Sequence, residues 1–223
     1  MTNKEPWLAA QGGQGGSLAL TESILTFVAG YTAAGNQDGL RRAWRELDPQ
    51  DHIGGIEAIL QTHLFAGFPR TINAMRTVRE LGPIHAGEHR ERSKWSTDWG
   101  QAGEQLCRKI YDRNYEKLRE NMSELHPDLD RWMLEVGYGR VLSRPGLSAR
   151  MRELCAIAVL AGQDVAPQLF SHLRGALHVG ATILECESVI GQTEFIWGQK
   201  AQQQALEVLQ RVQLKLKATY PER

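Results

Sequence analysis

The chain has 223 residues, 26 Lys plus Arg against 26 Asp plus Glu, a formal net charge of +0, and 42% apolar residues. With no basic excess, neither nucleic acid nor a charged membrane surface is an expected partner. The longest apolar run, 154–162, is far short of the ~20 residues of a membrane span, and the opening Met-Thr-Asn-Lys-Glu-Pro-Trp has no signal-peptide core.

Residues 1–16 close on Gln-Gly-Gly-Gln-Gly-Gly and read as a flexible N-terminal tail. Leu18, Leu20, Ile24, Leu25, Val28 and Ala29 then fall at helical spacing, with Ser17 or Thr21 able to cap. A short amphipathic stretch over 39–47 stops at Asp48-Pro49. Helices are predicted over 53–64 and 71–81, separated by Gly67-Phe68-Pro69. Residues 83–103, with a charged run over 88–94, read as a linker. Helical patterning resumes over 104–123 and 129–137, and Ser143-Arg144-Pro145-Gly146 breaks it. Ser148 precedes a helix over 149–162, and further helices are expected over 165–179, 183–190 and 194–218. Period-two alternation is absent, so the fold class is all-α.

Self-comparison gives an internal repeat. A shift of 131 places Glu22 on Glu153 and Gln37 on Gln168, and lays 24–30 on 155–161; a shift of 130 aligns 53–62 with 183–192 in pattern. The expected organisation is a first unit over 17–82, the linker, and a second unit over 104–223. Two such units can close a core that one cannot, and leftover apolar surface favours a symmetric homo-oligomer.

Cys107, Cys155 and Cys186 are odd in number, widely spaced and form no C-x-x-C, so free thiols and a reducing cytoplasm are expected. The second unit reads Arg152-Glu153-Leu154-Cys155-Ala156-Ile157-Ala158-Val159-Leu160-Ala161, then Gln168-Leu169-Phe170-Ser171-His172-Leu173-Arg174-Gly175-Ala176-Leu177-His178-Val179-Gly180-Ala181-Thr182. These runs, with Gly67-Phe68-Pro69-Arg70 in the first unit and Tyr138-Gly139-Arg140-Val141-Leu142 between them, resemble the carboxymuconolactone decarboxylase and AhpD-like superfamily, over about residues 17–215. The resemblance implies an AhpD-like helical fold in two degenerate repeats, a trimer of two-unit chains, and a cofactor-free carboxy-lyase active in aromatic-compound degradation.

The peroxidase branch of that superfamily carries E-x11-C-x2-C-x3-H. The frame here is Glu153, Val165, Gln168 and His172: carboxylate and imidazole match, both cysteines are missing. Dithiol chemistry needs a thiolate beside a resolving thiol, so the alkylhydroperoxidase alternative is the weaker one; a non-catalytic scaffold of the same fold is the other. Gln168 and His172, four apart, share a helix face, and Glu153 on the preceding helix can fix the imidazole's tautomer. The candidate catalytic residues are Glu153 and His172. Gln168, Arg152 and Arg174 are candidate binders of a small anionic organic substrate, the arginines as bidentate clamps. In the first unit Arg41 stands where His172 would. His172 and His178 are six apart and make poor joint ligands, His85 and His89 lie in the linker, and His63 is a further pocket candidate; no metal and no cofactor are expected.

Overall fold

The computed structural model describes Trp7, residues 18–82 and residues 98–219. Among these the protein is helical and has no strand. The helices are α1 (Leu20–Ala34), α2 (Gln37–Arg45), α3 (His52–Leu81), α4 (Trp99–Tyr111), α5 (Tyr115–Leu125), α6 (Pro127–Trp132), α7 (Ala149–Leu160), α8 (Ala166–His178), α9 (Ile183–Trp197) and α10 (Gln199–Thr219). A π-helix, Met133–Leu142, continues α6.

Two helices are central because they are buried nearly all round. Every residue of α7 from Met151 to Leu160 is buried, and α1 is buried from Ser23 to Ala33, the property of a helix packed on all sides. They touch each other, and Cys155 Sγ lies 3.7 Å from the Leu25 carbonyl. One apolar core runs through α1, α2, α3, α7, α8, α9 and α10. A second, smaller one holds Cys107, Ile110, Tyr115, Leu134, Tyr138 and Leu142.

Boundaries follow local chemistry. Ser148 caps α7 through the Met151 N–H, and Thr182 with Glu185 forms a capping box on α9. The break expected at Gly67-Phe68-Pro69 is a kink inside α3, with Gly67 at φ 79°. The break between the last two helices falls at Gly198, φ 89°, later than the sequence pattern placed it. Both values require the left-handed region that glycine tolerates, and the two glycines are 131 positions apart.

Two expectations change. The tail over 1–16 includes Trp7, which is 1% exposed and meets Phe27 edge-on at 5.8 Å; an indole has too much apolar surface to leave in water when a core is within reach. The remainder of that tail lies outside the described residues. The linker over 83–103 ends in helix, since α4 begins at Trp99, capped by Asp98 through the Gln101 N–H; residues 83–97, with His85 and His89, lie outside the described residues. The start of α4 is set by glycines: a Cβ on Gly139 would collide with the Trp99 carbonyl and one on Gly103 with the Leu134 carbonyl. The α4 backbone and the π-helix therefore pack at a separation only glycine permits.

Candidate active site

α7 and α8 are successive helices of one hairpin, and their facing sides bring Glu153 and His172 together. Glu153 Oε2 lies 2.8 Å from His172 Nδ1. Glu153 is 1% exposed and His172 8%. A carboxylate there takes a hydrogen bond from Nδ1–H, which fixes the tautomer and leaves Nε2 as the working nitrogen. Phe65 packs edge-on against the imidazole at 5.3 Å. Gly175, one turn beyond His172, makes this approach tolerable: a Cβ there would stand 2.7 Å from Ile110 and 3.1 Å from Glu153 Oε2.

His172 forms part of the wall of a cavity of about 620 Å³. Gln168 and Ser171 of α8 join it on one side, and Phe65 from α3 closes another. The opposite wall is apolar, from Leu118, Met133 and Leu142, with Tyr111 and Tyr138 as its polar exceptions. The Tyr138 hydroxyl donates to that of Tyr111 at 2.8 Å. Burial pushes both phenols above their ordinary range, and the charge of Glu153 adds to it, so both stay protonated as donors. The volume suits a small organic molecule.

The candidate binders separate. Gln168 is exposed at the cavity wall. Arg152 does not reach the cavity: it is 2% exposed and lies 3.0 Å from Glu57, bonded also to Gln61 and to the carbonyls of Arg144 and Pro145. A buried guanidinium needs this many acceptors, so Arg152 ties α7 to α3 and to the 144–145 turn instead of holding a ligand. Arg174 lines a neighbouring pocket that shares Tyr111, Leu118 and Ser171 with the main cavity. His63 turns to the Leu60 carbonyl at 2.7 Å and is not among the cavity-lining residues. Among the described residues no group of three or more His, Cys, Asp or Glu is placed to hold a metal, and no helix is long and apolar enough to cross a membrane.

Glu22 and Arg41, which the shift of 131 aligns with Glu153 and His172, do not pair with each other: Glu22 binds Arg150 at 2.6 Å, and Arg41 binds Asp38 and Glu80, each at 3.1 Å. Sequence reasoning missed Phe65, Tyr111 and Tyr138. Phe65 lies two residues before Gly67 and Tyr111 at the end of α4, so no motif spacing connects either to His172.

A family model described as the carboxymuconolactone decarboxylase family matches residues 127–211. Peroxisomal protein 2 of Schizosaccharomyces pombe is 31% identical over 175 residues, covering 75% of this chain and 81% of that protein. The chain belongs to the carboxymuconolactone decarboxylase family. Peroxisomal protein 2 of Saccharomyces cerevisiae is 30% identical over 60% of this chain and 57% of its own length. The 4-carboxymuconolactone decarboxylase of Acinetobacter baylyi is 28% identical over 45% of this chain and 75% of its own length. The segment matched by the decarboxylase family model contains Tyr138, Glu153, Gln168 and His172; Phe65 and Tyr111 come from outside it.

Proposed function

We propose that the protein is a cofactor-free carboxy-lyase or proton-transfer enzyme acting on a small carboxylated lactone or related acid, with Glu153 and His172 as its acid–base pair. One observation carries the reading: His172 Nδ1 is held by Glu153 at 2.8 Å while the ring faces a largely apolar cavity. In decarboxylation the C–C bond to the carboxylate breaks, carbon dioxide leaves, and the electron pair delocalises onto an adjacent carbonyl oxygen as an enolate. The enolate carbon then takes the proton from Nε2–H of the His172 imidazolium, which is reprotonated from solvent. Tyr111, whose hydroxyl accepts from Tyr138 and so keeps its own O–H free, supplies the donor for the enolate oxygen, Gln168 orients the substrate, and the apolar walls disfavour the ground-state carboxylate relative to the charge-delocalised transition state.

The name of the Acinetobacter relative supports a decarboxylation, and the names of the two yeast relatives speak of peroxisomes without stating a reaction. The reading includes the two-unit organisation and a trimer of such chains, which light scattering of the purified protein measures. The chemistry is tested by screening carboxylated lactones and related acids for carbon dioxide release by wild type and His172→Ala. The expected loss on substitution is about 10²–10⁴-fold, the usual worth of a general acid. Equal turnover by folded His172→Ala would refute the assignment, and absence of turnover by wild type across the screen would favour a scaffold.

A further inference from the structure

The pocket beside the cavity has its own character. Its wall, of about 270 Å³ of space, carries Lys117 from α5, Arg174 and His178 from α8, and Lys215 from α10, and no carboxylate. Arg174 and Lys117 make no ion pair among the described residues. That is unusual, since the other half-buried arginines among the described residues, Arg41, Arg119, Arg144 and Arg150, are all paired with carboxylates. Tyr111, Leu118 and Ser171 belong to both walls, so the cationic pocket abuts the apolar cavity directly. The main cavity's lining is partly hydrophobic and open: Leu129, Trp132 and Val136 are 42%, 51% and 39% exposed.

We infer that the site takes an amphiphilic anion, its apolar body lying in the main cavity past His172 and a permanent anionic head resting in the annex at Arg174 and Lys117. The inference rests on the proposed function for the role of His172, but not for the annex itself. The head is distinct from the carboxylate that departs, because clamping a departing carboxylate on an arginine would stabilise the ground state and slow its loss. A fixed head two residues along α8 from His172 would set which carbon of the body lies at Nε2.

The test is calorimetric titration of the full chain with octanoate, octan-1-ol and acetate at low ionic strength. Octanoate is expected to bind at least about tenfold more tightly than either of the others, with the advantage over octanol shrinking as salt is raised. Arg174→Gln and Lys117→Gln, the latter at an exposed position that leaves the packing alone, should each weaken octanoate severalfold and leave octanol unchanged. Trp132→Ser should weaken octanoate and octanol together. Equal affinity for octanoate and octanol, acetate binding as tightly as octanoate, or no response to either cation substitution would overturn the proposal. The readout is binding without turnover, so such a result leaves the His172 chemistry standing, and a failure of that chemistry leaves the annex standing.

Discussion

Gln61 and Gln192 stand 131 positions apart, and their amides cross between helices far apart in the chain, Gln61 of α3 to α7 and Gln192 of α9 to α1. Gln61 Nε2 donates to the Arg152 carbonyl at 3.0 Å, and its Oε1 accepts from Arg152 Nη1 at 3.1 Å. Gln192 Nε2 donates to Ser23 Oγ at 3.0 Å, and its Oε1 accepts from Thr26 Oγ1 at 2.5 Å. The exchange is reciprocal but unequal, since one amide serves a guanidinium and the other two hydroxyls. Gln192→Leu is expected to destabilise by about 1–2 kcal/mol, whereas Gln61→Leu, which strips a buried cation of one acceptor, should cost about 2–3 kcal/mol. Urea unfolding with unchanged slope measures both, and a neutral Gln61→Leu would show the exchange to be incidental.

Gly175 sets how closely Glu153 and His172 can pair. An added methyl would press on Glu153 Oε2 from 3.1 Å and on Ile110 from 2.7 Å. Ile110 can rotate, but the carboxylate can give way only by leaving its partner. Gly175→Ala should therefore reduce kcat about 10-fold or more through misorientation of His172, with KM and melting temperature changed far less. A melting temperature that falls while kcat holds would mean that Gly175 serves packing alone.

Acid should loosen the hold of α9 on α7 at Arg150, which binds Glu22 of α1 and Glu185 of α9. Burial pushes the Glu185 carboxyl up, but hydrogen bonds from Arg150 and the Thr182 N–H outweigh it and hold the group below its ordinary value of 4.5. A depressed carboxyl contributes stability above the unfolded value that is lost as pH falls through the folded one. Wild type should lose more stability than Glu185→Gln between about pH 6 and about pH 3, glutamine keeping the capping bond but not the charge. Parallel thermal melts for the two proteins across that range would remove Glu185 from the account.

What the sequence made legible was whatever rests on short-range rules. The helical periodicity, the Ser148 cap, the break at Gly67 and the i, i+4 placement of Gln168 and His172 each depend on neighbours within a turn or two. The burial of Arg152 does not: it is decided by Glu57 and Gln61, more than 90 residues earlier in the chain. Arg152 and Arg174 are the same residue type on adjacent helices, and only the packing partner separates a core cation from a pocket cation. The cavity's opposite wall was hidden for a related reason. The π-helix that carries Tyr138 has a turn spacing that a 3.6-residue pattern does not anticipate, and its closeness to α4 depends on Gly103 and Gly139 meeting across a distance in sequence.

The thiols give the sharpest separation of acid–base from dithiol chemistry. Cys107, Cys155 and Cys186 are all free and buried, and burial pushes each from an ordinary value of 9.0 up to about 12. A thiol that stays protonated is a poor nucleophile, and the two positions that dithiol chemistry would need hold Val165 and Gln168. Folded protein at about pH 8 should therefore resist Ellman's reagent and release all three thiols only in denaturant. The same shifts have a signed consequence: thiols held protonated in the fold stabilise it fully below 9.0, and that contribution drains away as pH climbs towards about 12. Replacing Cys155 by Ala should flatten this alkaline loss while leaving carbon dioxide release intact. Rapid labelling of one thiol in the folded protein, with peroxide consumption that Cys155→Ala abolishes, would instead return the chain to the redox branch.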